Sequence, residues 1–296
     1  MFDLRYHVAS LAAVFLALII GILVGVGIAG GGFVSKAERK VLNDQIAEAQ
    51  SQRDAARQRV SELEQEQRAT LEYVNDTYPA LVRDRLAGMR IVLVSVGPMD
   101  GHVRRSVQQA LGDSGAPSPL RLRAIKVPVD DAALDAALGD RPAFAQYKGS
   151  DRLPDLGRAL GEELVRGGRT PLWDALFAQL AEERLGPGRP PADGVVVMRS
   201  VKPQQDGTAR FLDGFYSGIA AAGSPAIGVE ASRVKPSAVP AFERTGLSTV
   251  DSIDTPAGRL ALVLLLQGAP PGHYGVRRTA TDHVLPLIPA TSPAGG

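Results

Sequence analysis

The sequence predicts an α/β fold class: an N-terminal transmembrane helix, a coiled-coil stalk, and then a mainly parallel-sheet α/β domain. Three observations carry this. An uncharged stretch of about 22 residues, Val8 to Ala29, is long enough to cross a bilayer core as a helix. A run without Gly or Pro follows it, with apolar residues spaced in heptads. Beyond that, short β-branched runs alternate with helical patterns, as βαβ units require. The expected divisions are 1–34 for the tail, anchor and glycine joint, 35–78 for the stalk, 79–271 for the α/β domain, and 272–296 for a loop-like, disordered tail.

In the anchor only Ser10 is polar, and a hydroxyl can bond its own helix backbone. Ala9, Ala13, Ala17, Gly21, Gly25 and Ala29 recur at every fourth position. They form one small-residue stripe, which lets two helix backbones approach closely in lipid. The apolar stretch exceeds the ~7–15 residues of a signal-peptide core. Its basic flank is thin, because Asp3 offsets Arg5. An uncleaved anchor is therefore expected.

Gly30-Gly31-Gly32 reads as a flexible joint. From Ser35 to Tyr78 the chain is rich in good helix formers. Leu42, Ile46, Ala49, Arg53, Ala56, Val60, Leu63, Gln67, Thr70 and Val74 keep a 4-3-4-3 spacing, a heptad seam. Its polar members cost stability and can set register and strand number. A parallel homodimer agrees with the small-residue stripe before it. At ~1.5 Å per residue such a stalk is about 60 Å long. Pro79 is expected to end the regular run, with Leu81 to Leu86 able to add another turn or two.

Met89 to Val96 reads as a buried parallel strand, bounded by Gly97-Pro98. Asp100 to Gly115 reads as a helix, Leu120 to Val127 as a strand, and Asp130 to Gly139 as a short helix. Phe144 to Gly168 holds a helical patch. Thr170-Pro171 starts a helix expected to run to about Leu185. After the loop Gly186 to Pro191 come a strand at Val195 to Val201, a helix at Ala209 to Ala222, a strand at Ala226 to Ala231, and a short one at Ser248 to Val250. Thr255-Pro256 opens RLALVLLLQ, which is apolar all round: a buried helix, with a central strand as the alternative. Ligands of such sheets sit beyond the carboxyl ends of strands. Here those ends are 97–100, 199–201 and 230–232.

The composition excludes several functions. With 33 Lys and Arg against 32 Asp and Glu there is no nucleic-acid footprint. With no Cys there are no disulfides, thiolate zinc sites or cysteine nucleophiles. Dinucleotide, P-loop, hydrolase-elbow and zincin motifs are all missing. No catalytic set emerges, so an enzyme is not expected. Of the metal-type residues, Met99 and His102 stand closest, a thioether and an imidazole that suit copper. A loop Met and a surface His at a helix start is the plainer reading. Asp251 and Asp254 before a capped helix fit turn and cap roles better than acid/base roles. His273 and Tyr274 sit in a turn-like Gly-His-Tyr-Gly motif. No cofactor is evident from these residues.

The N-terminal SLAAVFLALIIGILVGVG, the heptads behind it, STVDSIDTPAGR with its apolar run, and GHYG together resemble the MctB-like copper transport family of actinobacterial envelope proteins. The resemblance covers the whole architecture, and its first and third motifs are the most specific. It implies an envelope protein with an N-terminal anchor and an extracytoplasmic domain, linked to copper export and homeostasis. It also implies association with cell-division machinery through a membrane partner protein. Copper enters through this resemblance alone, and it assigns no ligand residues. The residues themselves favour a contact mechanism: a non-catalytic scaffold binding a membrane partner in division or wall remodelling. The apolar stretch holds no charged, Met or His residue, so one copy offers no polar path. Lys36, Arg39 and Lys40 outweigh Arg5, which by charge favours a cytoplasmic stalk. The resemblance places the domain outside, and that orientation is the expectation taken here.

Overall fold

The computed structural model describes residues 4–30, 36–98, 100–116, 119, 121–186 and 190–287. Chain contacts divide it into two compact units, 1–69 and 70–296.

The first unit holds α1 (Leu4–Gly30) and most of α2 (Lys36–Val82). Within α1, the 21 residues His7–Gly27 are long and apolar enough to cross a membrane, and none of that span is buried. A β-carbon at Gly21 or Gly25 would meet no neighbour. On α2 the apolar residues Leu42, Ile46, Val60 and Leu63 are all about half exposed. The helix runs three residues beyond Pro79, into the further turn that the sequence reading allowed. Proline costs a helix its own N–H rung, worth ~3 kcal/mol in an interior. Here the next rung is kept, because Arg83 N donates to Pro79 O at 3.2 Å. The flanking Tyr78 and Val82 are buried in the core of the second unit. That packing holds the last turn in place.

The second unit is one seven-stranded sheet in the order β3-β2-β1-β4-β5-β6-β7. The strands are β1 (Ile91–Val96), β2 (Arg121–Ile125), β3 (Ala181–Leu185), β4 (Gly194–Arg199), β5 (Ala226–Val229), β6 (Ser248–Val250) and β7 (His273–Tyr274). Every pairing is parallel except β2 with β3. Successive strand side chains take opposite faces. Val92, Val94, Val195 and Val197 enter one core, while Ile91, Leu93, Val196 and Met198 enter the other.

Helices cover both faces, as a parallel sheet requires. The first core is closed by α4 (Asp131–Leu138), α5 (Leu153–Arg166), α6 (Pro171–Leu180), α7 (Asp206–Ala221) and α8 (Val239–Arg244). The second is closed by the end of α2, α3 (Gly101–Asp113) and α9 (Pro256–Leu266). The apolar RLALVLLL segment is thus a buried helix, and the central-strand alternative falls.

Helices α5 and α7 pack almost backbone to backbone. A β-carbon at Gly157 or Gly161 would strike the carbonyl oxygen of Phe211 or Phe215. One at Gly214 or Gly218 would strike that of Pro154 or Arg158. Two small-xxx-small pairs therefore face each other inside a globular core.

Three further differences from the sequence reading have local causes. The helix expected to run to Leu185 ends at Leu180, and Ala181–Leu185 becomes an edge strand. AEERL has helical propensity, and pairing along β2 overrides it. Helix α8 is six residues long, too short for a periodic signal. Within the segment read as a loop-like tail, His273–Tyr274 pairs with Thr249–Val250, and 288–296 lie outside the described residues.

Candidate functional site

The chain reverses its winding between β1 and β4, and the crevice at such a switch point is where doubly wound sheets hold ligands. The loops there are closely fitted. Gly97 takes φ +82, and a β-carbon on it would strike Val201 Cγ1. Ser200 N donates to Val96 O at 3.1 Å, and Ser200 Oγ donates to Pro98 O. Asp100 caps α3, its Oδ1 accepting from His102 N at 2.8 Å and Val103 N at 3.0 Å. His102 is exposed at the helix start. Met99, its proposed partner, lies outside the described residues.

Strands β5 and β6 end in buried carboxylates. Glu230 is 2% exposed. It accepts from Ser237 Oγ and Ala238 N, both at 2.7 Å, and pairs with Arg277 Nη1. Arg277 Nη2 also donates to Val234 O at 2.9 Å. Asp251 is 1% exposed and accepts from Val276 N at 3.0 Å and Thr279 Oγ1 at 2.7 Å. Asp254 accepts from Ser232 N and Ser232 Oγ, both at 2.7 Å. Burial pushes the Asp254 carboxyl up, but the two Ser232 bonds and the nearby His102 outweigh it and hold it below the usual carboxylate range. Thr255 Oγ1 accepts from Gly258 N at 3.0 Å, the expected cap of α9.

The Gly-His-Tyr-Gly motif closes this edge. His273 N donates to Asp282 Oδ2 at 2.7 Å; its Nδ1 lies 3.0 Å from Thr249 Oγ1 and its Nε2 3.4 Å from Glu243 Oε1. Tyr274 donates its hydroxyl to Pro270 O at 3.1 Å, and its carbonyl accepts from Asp251 N. Asp251, His273 and Tyr274 are thus brought into one neighbourhood, with every polar group engaged in holding segment 273–282. Asp254 holds Ser232 instead.

Two cavities open at the carboxyl edge. One of about 150 Å³ is lined by Val201, Lys202, Glu230 and Lys235 among others. The other, about 180 Å³, lies between the end of β4, α7 and α8. Arg199 borders both. Sequence reasoning placed Arg199 and Glu230 at ligand-facing strand ends but gave them no role. Their signal is a charged residue closing an otherwise apolar strand.

Among the described residues no three His, Cys, Asp or Glu side chains converge as a metal cluster needs. Of the described methionines, Met198 is buried in the sheet core and Met89 packs against it.

Residues 1–285 match the family described as "Copper transport outer membrane protein, MctB". Two similar proteins are the "Copper transporter MctB" of Mycobacterium bovis and of Mycobacterium tuberculosis. Each is 26% identical, over 93% of this chain and 96% of its own length. A match that runs unbroken from the apolar α1 through the seven-stranded domain places this chain in the MctB copper transport family.

Proposed function

We propose that this protein is a membrane-anchored envelope protein that takes part in copper export and homeostasis. The observation that carries the reading is the family match over residues 1–285, which includes both units. In this reading α1 is an uncleaved single-pass anchor, and the α/β domain is extracytoplasmic. The exposed apolar seam of α2 and the open glycine face of α1 support a homodimer. The domain contributes by contact and carries no catalytic set. His102, exposed at the start of α3, and Met99, three residues before it in the sequence, are the residues proposed to touch copper first.

Growth of a deletion strain on graded copper tests this. The strain should be copper-sensitive, the full chain should restore growth, and a His102→Ala, Met99→Leu double variant should restore it less well. Equal growth with and without the gene would point instead to the copper-independent scaffold reading. Orientation has its own test. A fusion reporter active only in the cytoplasm, placed after Val74, should stay silent, and activity would reverse the assignment.

A further inference from the structure

His273, Thr249 and Glu243 meet at the β7 edge of the sheet, three strands from the switch point at β4, and the copper reading does not use them. Thr249 and His273 are register partners in β6 and β7. Their side chains therefore share one face, while the next residues, Val250 and Tyr274, enter the core on the other. Glu243 reaches the shared face from α8, whose Phe242 is buried in the core on that side.

The contact geometry is specific. His273 Nδ1 lies 3.0 Å from Thr249 Oγ1, and Thr249 is 1% exposed. His273 Nε2 lies 3.4 Å from Glu243 Oε1, and these two side chains are 23% and 35% exposed. As an ion pair the contact is poor, because charge-assisted hydrogen bonds of this type run at about 2.7–2.9 Å. Two ligand atoms at about 2.0–2.1 Å from one tetrahedral ion stand about 3.3–3.4 Å apart. The observed separation meets that spacing as it stands. A ligating imidazole uses its other ring nitrogen to donate to an oxygen that fixes the ring, and Thr249 Oγ1 stands where that partner belongs. The partial exposure of both side chains leaves an ion a way in. The nearby charges are committed elsewhere. Arg244 pairs with Asp213 at 3.3 Å, and Asp282 accepts from the His273 backbone N–H at 2.7 Å.

We propose that His273 Nε2 and the Glu243 carboxylate together bind a borderline divalent transition-metal ion, Cu(II) or Zn(II). Imidazole with a carboxylate is a donor set for this class of ion. Two side chains meet here, so water fills the remaining positions. The site is separate from the contact proposed at His102 and Met99, and the choice of ion follows from the ligands.

The test is calorimetric titration of the full chain in detergent micelles with CuCl2 and, separately, ZnCl2. A His102→Ala parent keeps the other proposed contact out of the count, so either proposal can fail without the other. Saturation by either ion at a site that Glu243→Gln removes or weakens at least tenfold supports the proposal, and the ion identifies the preference. Thr249→Val, which deletes the group that orients the imidazole, should weaken binding about tenfold. Glu243 is on the surface, so Glu243→Gln should fold, and His273→Gln should abolish the same site. The bound ion ties α8 to β7 and should raise the melting temperature of the parent but not of Glu243→Gln. Saturation by neither ion, or the same number of sites with the same affinity in the parent and Glu243→Gln, would overturn the proposal.

Discussion

Glu230 and Arg277 show how single residues hold this edge together. Glu230 ends a strand inside the core, and Arg277 is the charge that makes its burial tolerable. Removing one partner of a buried pair leaves the other uncompensated. Arg277→Ala should therefore cost about 3 kcal/mol by urea denaturation of the full chain. Exposed pairs such as Arg152 with Asp155 should cost under about 1 kcal/mol when cut. Acid tests a second set. The hydrogen bond from Arg90 holds the Asp193 carboxyl below its usual range, as Ser232 does for Asp254. Such groups add stability in full above about pH 4, where the unfolded carboxyl is ionised. That stability is lost as pH falls through their lower folded values. Asp193→Asn should therefore lose about 1 kcal/mol at pH 7 and show a shallower decline below pH 4. Urea midpoints measured across pH check both parts.

At the scale of elements, the close pairing of α5 and α7 gives the sharpest expectation. Gly157→Ala places a methyl against a backbone carbonyl and should destabilise by about 2 kcal/mol or more. Gly112→Ala in α3 meets nothing within 4 Å and should gain about 0.5–1 kcal/mol. Thermal melting of both variants separates crowding from helix propensity. For α2 the absence of native cysteine makes the seam directly testable. Ala49→Cys or Ala56→Cys should cross-link two copies under mild oxidation, whereas Gln52→Cys, off the seam, should not. Equal cross-linking at all three positions would remove the paired-rod reading.

Elements with strong local signals were legible in the sequence. The β-branched runs of β1, between Gly88 and Gly97, and of β4, after Gly194, and the Thr255 cap lie where their patterns put them, while the apolar α9 took the helical one of its two readings. What was not legible depends on distant partners. β3 is a strand only because β2 offers an edge, and β7 is two residues that pair only across the sheet. The candidate site behaves likewise. Asp254 and Ser232 stand 22 residues apart, and Glu230 and Arg277 47 apart, so no spacing in the sequence joins them.

At the scale of the whole molecule, one apolar helix, a long polar helix with an exposed seam, and a doubly wound domain occur in a single chain of the MctB family. The described strands form one open sheet. The direct measurement is cell-associated copper, read by mass spectrometry after a copper challenge. It compares a deletion strain carrying nothing, the full chain, or the chain lacking residues 4–30. The account predicts excess copper in the deletion strain, normal levels with the full chain, and excess again without the anchor. Identical copper content in all three strains would contradict it.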